Sequence, residues 1–285
     1  MSGAFRVFRA ELVRLVTSRT GIVAALLLLV MPALRVWAAG LALKAKALER
    51  AATGAEALGL SEGTGWALFV DGWRAGLMLG TALLLVQSAR SIAGDRETGV
   101  LRLAVTRSAS RSGAVIGRGL LGPVLVIFVV LLAAVGAYAA TLGVGADFGD
   151  LVEDEYVILT AGEMKDEVLR SLVPVVCGLL SIHAFGILVS SLSKGPVLAL
   201  AGSLAVILLW DVFKGDVGEA RFFVFASHAP TFADGSAMKE LAGFARGYSD
   251  AGLPEAVIRI GRIVPPVQAL AFILIAALSL RKRPI

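Results

Sequence analysis

The chain has 285 residues, of which 57% are apolar and only 17% are charged, and its formal net charge is +5. Soluble domains are usually about 45–50% apolar and about 25% charged, so this composition excludes an ordinary soluble protein and indicates an integral membrane protein. The pI near 9.7 would also suit a nucleic-acid-binding protein. The placement of the basic residues is instead typical of membrane topology, and we expect no nucleic-acid partner.

Residues 4–19 predict an amphipathic helix that lies on the inner surface of the membrane. Apolar residues share one face of this helix at a 3.6-residue period. They are Phe5, Phe8, Leu12, Leu15 and Val16. Arg6, Arg9 and Arg14 lie off that face. This pattern is typical of segments that bind the membrane surface, so lipid is an expected partner.

Six apolar stretches are long enough to cross a hydrocarbon core, which takes about 20 residues of helix. Backbone polar groups find no water in lipid, so a spanning segment is a helix or a strand of a closed barrel. Runs such as VLVIFVVLLAAVGAYAA lack the alternation of barrel strands, which predicts an all-α fold with a single transmembrane domain over residues 1–285. The predicted spans are residues 20–42, 67–90, 114–142, 171–192, 196–213 and 262–280.

Local signals mark some boundaries of these spans. Thr160, with Glu163 three residues later, predicts a capping box that starts the fourth helix before its apolar part. Ser193 and Pro196 predict a tight break between spans four and five. Residues 214–261 are apolar enough in places to lie at the membrane interface without crossing.

The basic residues favour an orientation with both termini in the cytoplasm. The parts that are then cytoplasmic carry fourteen Lys and Arg residues against three acidic residues, whereas the remaining parts carry thirteen against nineteen. Cytoplasmic loops are enriched in Lys and Arg, so we predict a multi-pass protein of the bacterial cytoplasmic (inner) membrane. Residues 45–47 are similar to a signal-peptide cleavage site, but the apolar run before them is too long, and we expect no cleavage.

Between spans two and three, arginines recur every few residues in IAGDRETGVLRLAVTRSASRSGAVIGRGL, residues 92–120. Within this segment, DRETGVLRLAV predicts a short helix that is marginal alone in water and needs a surface to dock on. The residues alone leave two interpretations open. Either the segment docks on another subunit, or its arginines only meet anionic lipid head groups.

The same segment resembles the cytoplasmic signature of ABC-2-type permeases, the membrane subunits of bacterial ATP-binding-cassette exporters. In that family a span ends in an acidic–basic–acidic cluster, followed by Gly-Thr-Leu, a Pro-Val-Ser-Arg-like element and a Gly-Lys that opens the next span. The corresponding residues are Asp95-Arg96-Glu97, Gly99-Val100-Leu101, Ala109-Ser110-Arg111 and Gly117-Arg118. Valine replaces threonine in the second element, and Ser108 stands where proline is usual. The layout of six spans with an interfacial N-terminal helix also resembles the family.

The resemblance implies that residues 93–112 form a cytoplasmic coupling helix held by a separate ATPase subunit. It also implies that two six-span subunits form one pathway, as two copies of this chain or as this chain with a similar permease. The residues implied to couple the ATPase are Asp95, Arg96, Glu97, Gly99, Leu101, Arg102 and Arg111. The sequence has no Gly-x-x-x-x-Gly-Lys-Ser/Thr phosphate loop, so ATP and Mg²⁺ are expected in the partner ATPase and no cofactor in this chain.

The leading functional prediction is a permease, not itself an enzyme, that couples ATP hydrolysis by the separate subunit to export of a substrate. The alternative is a mechanotransmission subunit that moves an extracytoplasmic partner without transporting solute, which resembles relatives that serve metalloenzyme maturation. Residues 143–170 and 214–261 are the candidate docking segments for such a partner. An intramembrane enzyme is a third class, which no residue set favours. The residues give no code for the substrate.

Three ionisable residues near the membrane are candidates for pathway or structural roles. Asp71 and Arg74 are three residues apart near the outer end of span two and are predicted to pair on one helix face. Arg35 is expected to reach the outer head groups, with substrate contact as the alternative. Asp211 is expected to mark the outer end of span five.

The sequence offers no catalytic or metal-binding pattern. His183 and His228 have no neighbouring ligand at metal-binding spacing. The acidic run over residues 147–155 lacks the glycine turn of a calcium loop. Cys177 is the single cysteine, so no internal disulfide is possible. Simple helix-end capping is expected of the serines that end span four, which are Ser190, Ser191 and Ser193.

Overall fold

The computed structural model describes residues 3–52, 64–102, 110–153, 156–248 and 254–282, and these residues are predominantly helical. Six helical segments among them are long and apolar enough to cross a membrane, as expected of a multi-pass protein. The helices are α1 (Gly3–Thr17), α2 (Arg19–Ala52), α3 (Thr64–Glu97), α4 (Arg111–Gly119), α5 (Leu121–Val144), α6 (Ala161–Leu192), α7 (Pro196–Phe213), α8 (Ala237–Phe244) and α9 (Glu255–Lys282). A short antiparallel hairpin, β1 (Leu151–Glu153) with β2 (Tyr156–Leu159), follows α5.

The six predicted spans correspond to α2, α3, the α4–α5 pair, α6, α7 and α9. The bounds of α7 are those predicted. Helices α2 and α3 have 34 residues each, or about 50 Å at 1.5 Å per residue, and therefore extend well beyond a hydrocarbon core of about 30 Å. Hydropathy underestimated their length because their polar ends remain helical. Likewise α9 begins at Glu255, so residues 255–261 belong to a spanning helix and not to the polar segment before it.

Two local sequence signals are confirmed at helix boundaries, the capping box at the start of α6 and the break at residues 193–195 before α7. The Thr160 hydroxyl accepts from the Glu163 N–H, and the Glu163 carboxylate accepts from the Thr160 N–H, so the capping box starts α6 well before its apolar part. The predicted third span, in contrast, is two helices that meet at Leu120. Pro123 has no N–H to donate to the carbonyl of Gly119, which weakens the helix at that point.

The described parts of both termini lie at the same end of the bundle. Arg96, near the end of α3, donates to the carbonyl of Ser193, which follows α6. Arg111, at the start of α4, donates to the carbonyl of Arg281 near the end of α9. Because α1 packs on α4, the N-terminal helix and the end of α9 are neighbours. We call this end of the bundle the basic end.

The opposite end carries the β hairpin and the polar segment between α7 and α9. The Gly65 N–H at the start of α3 donates to the carbonyl of Asp147 after α5, at 2.9 Å. Residues 214–248, which we call the cap segment, form two 3₁₀ turns and α8. Within this segment the structure describes no helix long enough to cross a membrane, as predicted.

Glycines allow α2, α3 and α5 to pack closely. Three glycines recur every four residues along α3 and face α2 or α5, and they are Gly72, Gly76 and Gly80. A Cβ atom on Gly76 would lie 2.5 Å from Cγ of Pro32. A Cβ atom on Gly136 of α5 would lie 2.1 Å from the carbonyl oxygen of Leu29. Such close approach supplies the van der Waals contact that holds helices together in lipid.

Helix α1 is confirmed, but the protein covers part of the face that was predicted to meet lipid. Three of its apolar residues are half-buried against the rest of the chain, and they are Phe8, Leu12 and Leu15. Phe5 and Val16 are exposed. The contact with α4 is close, because a Cβ atom on Gly117 would lie 2.5 Å from the carbonyl oxygen of Ala4. This helix is therefore anchored on the bundle as well as available to lipid.

We expect Gly136→Ala to lower the free energy of unfolding by about 1–3 kcal/mol, because the added methyl group overpacks the α2–α5 contact. Gly143→Ala, on the same helix, is the matched control, since a Cβ atom there meets nothing within 4 Å. The midpoint of thermal unfolding in detergent is the measurement. Equal midpoints for the two variants would contradict the close packing described for Gly136.

Candidate coupling site

The motif that resembles the ABC-2 signature begins in the last turn of α3 and continues through a sharp turn. Helix α3 ends at Glu97, and Gly99 has a φ of +74°, a left-handed conformation that glycine adopts without steric cost. The Gly99 N–H donates to the carbonyl of Arg96 at 3.2 Å, which closes the turn. Helical geometry resumes over residues 100–102.

The prediction of one coupling helix over residues 93–112 is wrong. Residues 93–97 are the last turns of α3, and the turn at Thr98 and Gly99 separates them from the next helical residues. Arg111 is the first residue of α4, which Ser110 caps by accepting from the Gly113 N–H at 3.0 Å. Residues 103–109 lie outside the part of the chain that the structure describes.

Asp95 belongs to a buried ion network and does not face outward. Its side chain is 7% exposed and pairs with Arg118, whose side chain is 6% exposed. Arg118 also lies 3.1 Å from Glu11, and Arg14 lies 3.3 Å from Asp95. The network therefore joins α1, α3 and α4. Buried charges are stable only when their partners compensate for the lost hydration, so these three helices depend on one another at the basic end.

Arg96 holds the end of α3 against the end of α6. Its guanidinium donates to the carbonyls of Ser193, at 2.7 Å, and Ser191, at 3.3 Å. These carbonyls lie at the negative end of the helix dipole, where a cation is favourable. Ser190 reinforces the contact, because its hydroxyl accepts from the N–H groups of Ile92 and Ala93. Ser190 thus joins two helices, whereas simple helix-end capping was expected.

Leu101 fixes the first residues after the turn to the bundle. Its side chain is fully buried in a cluster formed by α3, α4, α6 and α9. The members of this cluster are Ile92, Leu101, Ala114, Val115, Ile187, Ala276, Ala277 and Leu280. The turn is therefore packed directly against four helices.

Three motif residues around the turn face outward. Glu97, Val100 and Arg102 are exposed, and Gly99 between them is half-buried. We call Glu97, Val100 and Arg102 the coupling surface. Of the residues predicted to couple an ATPase, Asp95, Arg96 and Leu101 form an inner group, whereas Glu97 and Arg102 belong to the coupling surface and Gly99 forms the turn between them. Arg111 is half-buried and donates to Arg281, so it belongs with the inner group.

Sequence reasoning did not identify the partners of Asp95. Arg118 belongs to the Gly117-Arg118 element of the motif, and it is the only charged residue between positions 112 and 146. An isolated arginine in an apolar stretch needs a partner on another helix. Glu11 gave a similar signal, since it is the only acidic residue in α1. Pairing the two isolated charges would have predicted the α1–α4 contact.

The predicted pairing of Asp71 with Arg74 is wrong. Arg74 Nε lies 2.6 Å from the Asp234 carboxylate, whose side chain is fully buried, and Asp71 pairs with Arg246. Both partners come from the cap segment, 160 and 175 residues away along the chain. The cap segment therefore supplies closer counter-charges than the helix itself, and these contacts give Asp71 and Arg74 a structural role.

Arg35 is exposed on α2 and forms no ion pair with any residue that the structure describes. Asp211 is buried at the end of α7, where it accepts from Lys214 and Thr231, each at 2.7 Å. Asp211 thus fixes the cap segment to α7, a role beyond the expected end signal.

The two histidines lie apart from any cluster of metal ligands. Among the described residues, no three His, Cys, Asp or Glu side chains lie close enough to hold a metal ion. His183 is buried in α6 and its Nε2 atom contacts the carbonyl of Arg118 at 3.2 Å. His228 is buried in the cap segment, where Nε2 donates to the carbonyl of Phe222 at 2.7 Å.

The sequence matches no protein-family profile and no curated protein. The resemblance to ABC-2-type permeases therefore depends on the motif and the layout of the helices.

We expect Asp95→Asn to lower the free energy of unfolding by roughly 2 kcal/mol, because Arg118 then loses one of its buried counter-charges. Glu97→Gln, two residues away and exposed, is the matched control and leaves stability within about 0.5 kcal/mol of the parent. Chemical or thermal unfolding in detergent measures both. If Glu97→Gln lowered the stability and Asp95→Asn left it unchanged, the assignment of the inner and outer groups would be reversed.

Acidification is expected to destabilise the cap segment through His228. Burial lowers the pKa of His228 below its ordinary value of 6.5, so the unfolded chain binds the proton more readily than the folded chain. The stabilising contribution is complete above about pH 6.5 and is lost as the pH falls toward the lower pKa of the folded state, by at most about 1.4 kcal/mol per pH unit. Unfolding midpoints at pH 7.5 and pH 5 measure the loss, which His228→Gln should reduce. An equal loss in that variant would assign the effect to other groups.

Proposed function

We propose that this chain is the membrane subunit of an ATP-binding-cassette exporter in the bacterial cytoplasmic membrane, and that a separate ATPase subunit binds its coupling surface. The observation that carries the proposal is the turn between α3 and α4. It presents Glu97, Val100 and Arg102 outward, while Leu101 is fully buried among four helices. Force transmission requires a segment that binds a partner on one side and packs against the helix bundle on the other.

The proposed orientation places the basic end in the cytoplasm. The positive-inside rule supports it, because the parts of the sequence that are cytoplasmic in this orientation carry fourteen Lys and Arg residues against three acidic residues. Both termini are then cytoplasmic, and the cap segment and the β hairpin are on the outer side. ATP and Mg²⁺ would bind the partner ATPase, where nucleotide binding draws the ATPase domains together.

A second membrane subunit is part of the proposal. Helices α2, α7 and α9 bury little of their surface within one copy: 17%, 22% and 22% of their most apolar windows. Lipid and a second copy, or a similar permease, would share these faces, with the pathway between the two subunits.

A mechanotransmission subunit is the second candidate function. The cap segment favours it, because Asp211, Arg74 and Asp71 fix this segment to two spanning helices. An outer structure joined so firmly to the helices would move with them and act on an extracytoplasmic partner. ATP-dependent solute flux in vesicles that contain both subunits supports export, and its absence beside ATP-dependent motion of the cap segment supports mechanotransmission.

The double charge reversal Glu97→Arg with Arg102→Glu tests the proposal. We expect binding of the ATPase to weaken at least about tenfold, because like charges then meet across the interface. Co-purification of the ATPase and stimulation of its activity in lipid nanodiscs are the measurements. The matched control reverses an exposed pair at the opposite end, Asp166→Arg with Lys165→Glu.

Full binding and stimulation with the reversed coupling surface would overturn the docking assignment. Failure of any ATPase to co-purify with the parent chain from its native membrane would overturn the proposed function as a whole.

A further inference from the structure

The cap segment is joined to α3 by two ion pairs with different surroundings. The Arg74–Asp234 pair is largely buried, with side chains 26% and 0% exposed. The Asp71–Arg246 pair is more accessible, at 17% and 46%. Asp234 also accepts from the Ser236 N–H at 2.8 Å, which orders the chain just before α8. The cap segment is therefore held to α3 at two separate points along its length.

Helix α3 runs without interruption from these ion pairs to the coupling surface. Asp71 and Glu97 lie in the same helix, which contains no proline, and they are about 39 Å apart at 1.5 Å per residue. Sharp kinks in helices require proline, a bulge or an inserted group. A displacement applied at Glu97 therefore moves the other end of α3 as well.

Other helices reach the cap segment but do not carry coupling-surface residues. Helix α7 holds it through Asp211, yet α7 begins at Pro196, after the break that follows α6. Helix α9 holds it through Gln268, whose side-chain oxygen accepts from the Phe225 N–H at 2.9 Å, but α9 contains Pro265 and Pro266, which weaken a helix as a rigid connection. Of the elements that the structure describes in contact with the cap segment, α3 alone supplies a residue of the coupling surface.

We propose that the cap segment is a moving output of the protein, driven by α3 through the Arg74–Asp234 and Asp71–Arg246 pairs. This inference rests on the proposed function, since an ATPase must displace the coupling surface. Two exposed aromatic residues of the cap segment, Phe232 at 71% and Tyr248 at 63%, each lie two residues from an ion-paired residue. Their surroundings change when α3 moves.

Thiol labelling tests the inference in the complex with the co-purified ATPase, reconstituted in lipid nanodiscs. Phe232→Cys and Tyr248→Cys are introduced separately, with the half-buried Cys177 replaced by serine. The rate of labelling is measured without nucleotide and with the ATPase trapped by ATP and vanadate. We expect a nucleotide-dependent change in rate at both positions, and loss of that change when Asp71→Asn and Arg74→Gln are combined.

Two further variants keep the test decisive. Arg170→Gln breaks an ion pair with Glu255 at the same end that joins α6 to α9 and leaves α3 untouched, so it should retain the nucleotide-dependent change. The charge swap Asp71→Arg with Arg246→Asp rebuilds the accessible pair and should retain the change in an otherwise native background. The role of the ion pairs would be overturned if the charge-swap variant lost the nucleotide-dependent change in labelling rate while the Asp71→Asn/Arg74→Gln variant kept it.

Stimulation of the ATPase is recorded in the same samples and separates the two proposals. A stimulated ATPase with no nucleotide-dependent labelling at either position, or with labelling that survives loss of both ion pairs, overturns the moving cap segment alone. Absence of a stimulated ATPase in the parent overturns the proposed function and this inference together.

Discussion

Arg118 carries a full charge inside the helix bundle, and the assembly of the basic end depends on how that charge is compensated. Its counter-charges, Asp95 and Glu11, come from α3 and α1, so displacement of either helix removes one of the two. In an apolar medium such a loss is far more costly than at a surface. The N-terminal helix is for this reason part of the transmembrane unit and not an independent lipid anchor.

In the middle of the bundle the helices are held together by close approach of their backbones, as the ion network around Arg118 holds them together at the basic end. In lipid there is no hydrophobic driving force that brings apolar side chains together. Helices therefore associate through close contacts that side chains larger than glycine would prevent. The spacing of Gly72, Gly76 and Gly80 along α3 places α2 and α5 against the same helix. Helix α3 also carries Glu97 of the coupling surface and the ion pairs to the cap segment, so this one helix joins both ends of the bundle.

Sequence reasoning succeeded where a signal is local. Apolar length predicted the six spans, and the Thr160–Glu163 capping box and the break before Pro196 depend on residues within four positions of each other. It failed where the partner is distant. The spacing of Asp71 and Arg74 suits an intrahelical pair, but the choice between that pair and Asp234 or Arg246 is made by tertiary structure. The division of the motif into inner and outer residues depends likewise on helices that only the fold brings together.

Because α1 and the end of α9 lie at the same end of the bundle, two copies of this unit could be fused in one polypeptide without an additional spanning helix. An even number of spanning helices brings the end of α9 to the side where α2 begins, and the contact of Arg111 with Arg281 shows that the end of α9 lies beside the start of α4. Two copies joined head to tail would keep the same sense in the bilayer without an extra crossing, and a tandem polypeptide would have an axis of twofold pseudosymmetry along the membrane normal.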